Sequence, residues 1–185
     1  MPNFLSQLIA KIISSAISFV YLFTGYKSGL TGKEIKTPED FTPVLRFIAC
    51  SDVHLDGNEE QPNAIRLANL IKDMYKYSEL QNYKTVDALM VVGDFAGGGA
   101  ESEYAMFNKI IEDNIKPQTQ VLTVLGNHEF INYRDIDATA AYPVYQEMIN
   151  PEVDTDIVIN GYHFIGVSYD NNGKAFKGKT TWLRE

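Results

Sequence analysis

Side chains able to ligate a hard metal ion fall in three short clusters: Asp52 with His54, Asp94, and Asn127 with His128. Carboxylate oxygens, imidazole nitrogens and an amide oxygen suit Mn, Fe or Zn rather than soft, thiolate-bound ions. The single cysteine, Cys50, builds neither an internal disulfide nor a cysteine-rich zinc site, so any metal must be held by Asp, His and Asn. Each cluster follows directly on an apolar run that reads as a strand: Val44–Cys50, Val86–Val92 and Val121–Leu125. In an open parallel sheet the carboxyl ends of the strands face one crevice, so groups far apart in sequence converge on one ligand.

The elements between the clusters support that sheet. A helix is predicted from about Pro62 to Tyr77, with Ala64, Leu67, Ala68, Ile71 and Tyr75 on one face. A second runs from about Ser102 to Asn114, with Tyr104, Phe107, Ile110 and Ile111 aligned. Alternating strands and helices predict an α/β fold in which helices cover a largely parallel sheet. Farther on, Asp156–Ile159 and Tyr162–Val167 are joined by Asn160-Gly161, a hairpin signal, and this hairpin is expected to extend the sheet. A capping Thr near residue 180 opens a last helix, with Trp182 as its core anchor. Cys50 reads as a small buried side chain, His163 as a structural residue of the hairpin, and Gly97-Gly98-Gly99 as a flexible loop beside the site.

The organisation reads as a hydrophobic helix over residues 1–25, a linker over 26–43 and one domain over 44–185. Residues 4–23 carry one charge, Lys11, and combine helical apolar periodicity with nearly the length that spans a bilayer. A membrane anchor, an amphipathic surface or partner helix, a signal peptide and an ordinary core helix all fit. A membrane-associated or cell-surface location is expected, with a cytoplasmic one as the alternative. The 185 residues hold 24 acidic and 16 basic side chains, a net charge of −8, which leaves no basic face for non-specific nucleic-acid binding.

Taken singly, Asp52 and Asp94 could be caps, Asn127 a turn residue, and His54 and His128 surface histidines. Together, Asp52-Val53-His54, Gly93-Asp94 and Gly126-Asn127-His128-Glu129 resemble the D-x-H, G-D and G-N-H-[ED] blocks of the calcineurin-like metallophosphoesterase family, in order. The resemblance implies a layered α/β sandwich and a two-metal hydrolase. Asp94 would bridge both ions, Asp52 and His54 would bind the first, and Asn127 the second. A hydroxide between the ions would attack phosphorus. By the same resemblance His128 contacts the phosphate or protonates the leaving oxygen, while Glu129 orients neighbouring groups such as the His128 imidazole.

The family's later histidine and G-H-x-H blocks are not found in these residues. With three histidines in total, the chain is expected to hold one weakly bound ion and to be the N-terminal, incomplete part of a longer phosphoesterase. Gly93-Asp94 continues as Phe95-Ala96 rather than with the Asp and Arg of the protein serine/threonine phosphatase branch, which favours a small phosphate ester as substrate. The alternative is a truncated, inactive member that binds a phosphate ligand or a partner.

Overall fold

The computed structural model describes residues 40–169. The hydrophobic helix predicted over residues 4–23, most of the linker, and the helix predicted around Trp182 lie outside the described residues. Among the described residues no helix is long and apolar enough to cross a membrane.

Strands β1 (Phe47–Cys50), β2 (Ala88–Val92) and β3 (Gln120–Val124) form a parallel sheet in that order, with β2 in the centre. The register pairs Phe47 with Ala88 and Ala88 with Gln120. The central sequence Ala-Leu-Met-Val-Val is apolar throughout, as a strand covered on both faces requires. Leu89 and Val91 point to one face, where helices α1 (Pro62–Glu79), α2 (Glu101–Asn114) and α3 (Ala141–Met148) lie over them. On the other face Ala88 and Leu122 meet Ile159 and Phe164.

These last two belong to β4 (Thr155–Ile159) and β5 (Tyr162–Gly166), which pair antiparallel around the left-handed Asn160-Gly161 turn. The hairpin was expected to extend the sheet; instead it is a separate two-stranded sheet lying across its face. Its inner residues, Ile157, Ile159 and Phe164, are apolar and cover the flank of β2 and β3. The turn end is pinned by Asn160, whose amide donates to the Val44 carbonyl and to Asp87 Oδ1, each at 3.0 Å. At the other end, the Tyr169 amide donates to the Leu125 carbonyl at 2.8 Å.

Helix α3 was not foreseen from the sequence. Pro143 is its third residue, where a backbone N–H has no intrahelical partner to lose. Tyr145 then anchors α3 to β3 through a 2.7 Å hydrogen bond between its hydroxyl and that of Thr123. Burial pushes the Tyr145 hydroxyl pKa up to about 12.

The residue after Asp94, Phe95, is fully buried and packs against Phe107 and Tyr104 at ring-centroid distances of 4.7 and 5.6 Å. Replacing Phe95 by Ala should destabilise the domain by about 3–5 kcal/mol, read from the midpoint of urea unfolding. A loss below about 1 kcal/mol would show that the helical layer does not depend on this ring.

Candidate metal centre

The three clusters sit where the parallel sheet ends. Beyond β1, the amides of Asp52, His54 and Leu55 donate to the carbonyls of Gly93, Asp94 and Phe95 at 3.2, 2.9 and 2.9 Å. The β1–β2 pairing therefore continues past the strands and fixes the first loop against the second. Helix α1 holds the same loop from behind, because Gln61 and Asn63 side-chain amides both donate to the His54 carbonyl.

Asp52, His54 and Asp94 have φ values of 55°, 51° and 53°, in the left-handed region that residues other than glycine enter rarely. Each such residue costs about 1–3 kcal/mol and persists only where its surroundings over-determine it. The fourth, Asn160, belongs to the hairpin turn.

Atoms of His54, Asp94 and His128 that can ligate a metal lie within 4.8 Å of one another. The His54 and His128 rings stand edge to face with centroids 4.2 Å apart. Nδ1 of His54 is buried and has no hydrogen-bond partner. A buried imidazole nitrogen left open is costly, and a divalent cation satisfies it, so the donors present fit a borderline-hard metal ion. His128 Nδ1 lies 3.0 Å from the Gly97 carbonyl oxygen. A carbonyl only accepts, so this bond places a proton on Nδ1 and leaves the lone pair of the neutral ring on Nε2.

The other predicted residues are placed differently. The Asp52 side chain is 66% exposed, its Oδ1 is 3.8 Å from His54 Nε2, and its Oδ2 accepts from the Ser51 hydroxyl at 2.5 Å. Asn127 lines a cleft of about 410 Å³ together with Asp52 and Asp94. Apolar side chains of Val92, Leu122, Val124 and Ile165 form much of the cleft wall, and Asp52 and Asp94 are its charged lining among the described residues. His163 is exposed on the hairpin, 3.0 Å from Asp156 Oδ1. Cys50 is half-buried, and burial raises its thiol pKa, which disfavours a reactive thiolate.

Glu129 is fully buried, and its oxygens are taken by backbone amides of Asp94, Ala96 and Gly126 rather than by the His128 imidazole. Burial raises its carboxyl pKa, and the three amide bonds act in the opposite direction. Asp94 Oδ1 in turn accepts from the His128 amide at 2.8 Å.

The glycine run is not the flexible loop expected from its composition. Gly98 and Gly99 are buried. The Gly98 amide donates to Glu103 Oε2, which also caps α2 at the Ala100 amide, and the Gly98 carbonyl accepts from Asn132. Gly99, with φ of 82°, lies so close to the Glu129 carbonyl that a Cβ would sit 2.0 Å from its oxygen. What composition alone presents as freedom is close packing of one loop on another.

Gly126 is needed for the same reason: a Cβ there would lie 2.2 Å from Asp94 Oδ1. Gly126→Ala should push Asp94 out of place and weaken Mn²⁺ binding by about tenfold or more in titration calorimetry. Unchanged affinity would show that Asp94 does not depend on this approach.

The family model of calcineurin-like phosphoesterases matches residues 45–181, which include all three clusters. No curated protein shows a significant match to the chain. With the match covering most of its length, the chain belongs to the calcineurin-like phosphoesterase family.

Proposed function

We propose that this chain is a metal-dependent phosphoesterase domain that hydrolyses a small phosphate monoester or diester. It carries the first half of a two-metal site and holds one divalent ion by itself. The observation that supports this most directly is the His54–Asp94–His128 cluster, with ligating atoms within 4.8 Å, whose Asp94 also lines a cleft with an acidic charged lining. Two carboxylates repel a phosphate ester, so such a cleft accepts one only when a cation has reversed its local charge. When bound, a divalent ion supplies Lewis acidity, lowering the pKa of water and drawing charge from the phosphoryl oxygens.

The protein's own groups do the remaining work. His54 and Asp94 hold the ion, and Asp52 and Asn127 extend the donor set along the cleft wall. The Gly97 carbonyl keeps Nδ1 of His128 protonated, so any proton this ring takes or gives passes through Nε2. That atom is suited to contact the phosphate and, once protonated, to donate to the leaving oxygen. The apolar wall of the cleft excludes water from one side and gives the ester's alcohol group a surface to rest on.

Purified protein loaded with Mn²⁺ should release the phenol from a chromogenic aryl phosphate. Asp94→Asn should reduce that rate to the level of a metal-free sample. Saturable phosphate binding without turnover in the Mn²⁺-loaded protein would instead favour a non-catalytic binding module.

A further inference from the structure

Glu129 does not itself line the cleft, yet it joins the two loops that carry the candidate ligands. Its Oε2 accepts from the Asp94 amide at 3.0 Å and from the Gly126 amide at 2.6 Å, and its Oε1 accepts from the Ala96 amide at 2.9 Å. Asp94 and Ala96 follow β2, whereas Gly126 follows β3. No Lys, Arg or His forms an ion pair with this carboxylate among the described residues. Its buried charge is therefore met by backbone dipoles alone, and those dipoles must stay where they are.

We propose that Glu129 is a positioning residue that sets the metal affinity of the site by clamping the Asp94 loop to the Gly126 loop before any ion binds. The proposal rests on the reading of His54, Asp94 and His128 as a metal centre. Three features of the structure lead to it. Asp94 has a φ of 53°, which its own chain does not favour, so an external hold on its amide is what keeps the carboxylate aimed. The same Oε2 binds the Gly126 amide, and Gly126 approaches Asp94 so closely that no side chain fits between them. Beyond Gly126, the His128 amide bonds Asp94 Oδ1 and brings the His128 ring beside His54. One carboxylate thus fixes the spacing of Asp94 and His128, and the backbone bonds from His54 and Leu55 to Asp94 and Phe95 carry that order to the first loop.

The geometry also states why glutamine is not a substitute. All three partners are N–H donors, and an amide side chain offers one acceptor oxygen. With its oxygen in the Oε2 place glutamine keeps the Asp94 and Gly126 amides but sets its NH₂ against the Ala96 N–H, and turned over it sets the NH₂ against both Asp94 and Gly126; either way the loop after β2 loses a bond and the charge that strengthens the others is gone.

The test compares Mn²⁺ affinity by titration calorimetry in the wild type, Glu129→Gln, Asp94→Asn and Tyr75→Phe. Tyr75→Phe removes buried hydrogen bonds to Thr119 and Lys116 away from the site, and serves as a control for lost stability alone. Glu129→Gln should bind Mn²⁺ about tenfold to a hundredfold more weakly, with Tyr75→Phe unchanged. Wild-type affinity in Glu129→Gln, while Asp94→Asn is weakened, would overturn the clamp and leave the metal centre standing. Wild-type affinity in Asp94→Asn would overturn the metal centre and the clamp with it. If Glu129→Gln does not fold, amide exchange of the metal-free wild type decides. The Asp94, Ala96 and Gly126 amides should exchange as slowly as that of Leu89 in the central strand, and exchange at solvent-exposed rates would overturn the proposal.

Discussion

A carboxylate buried without a cation beside it must find its compensation in fixed dipoles, and the arrangement around Glu129 follows from that requirement. Its oxygens take three backbone amides, two from the loop after β2 and one from the loop after β3. Hydrogen bonds to a charged acceptor contribute about 1.5–3 kcal/mol each, and losing them would leave the charge exposed to an apolar interior. The loops therefore cannot relax away from one another. Gly99 and Gly126 lie where any side chain would break that contact, by colliding with the Glu129 carbonyl or with Asp94.

The parallel sheet makes this economical. Its three strands end side by side, so one clamp between the second and third loops, together with backbone bonds between the first and second, orders all three. The helical layer supports the same residues from beneath: Phe95 is buried among Tyr104, Phe107 and Tyr145, directly after Asp94. The strain held at Asp52, His54 and Asp94 is thus offset by packing and hydrogen bonding elsewhere, as expected of a site whose donors are preorganised. The acidic lining of the cleft is consistent with a cation being the first ligand to enter.

Much of this was legible in the chain. Apolar runs closing on Asp52, Asp94 and Asn127 announced parallel strands, and helical periodicity announced α1 and α2 to within two residues at each end. The Asn160-Gly161 turn announced the hairpin, because its left-handed conformation demands those residue types. Its packing across the sheet was not legible, since alternation in a strand shows which side is apolar and not what covers it. Helix α3 carries Pro143 in its first turn, where a residue that breaks a helix interior is harmless. The partners of Glu129 were hidden for a different reason: they are backbone amides, and backbone groups leave no mark on residue type. The glycine run misled in the same way, since glycine serves close approach as readily as mobility.

The account rests on His54 and Asp94 holding one divalent ion beside the His128 ring. The most direct measurement is anomalous diffraction from crystals of the protein grown with Mn²⁺. The account predicts a single strong anomalous peak against His54 and Asp94, next to His128. A peak at the exposed Asp156–His163 pair, or none in the presence of saturating Mn²⁺, would contradict it.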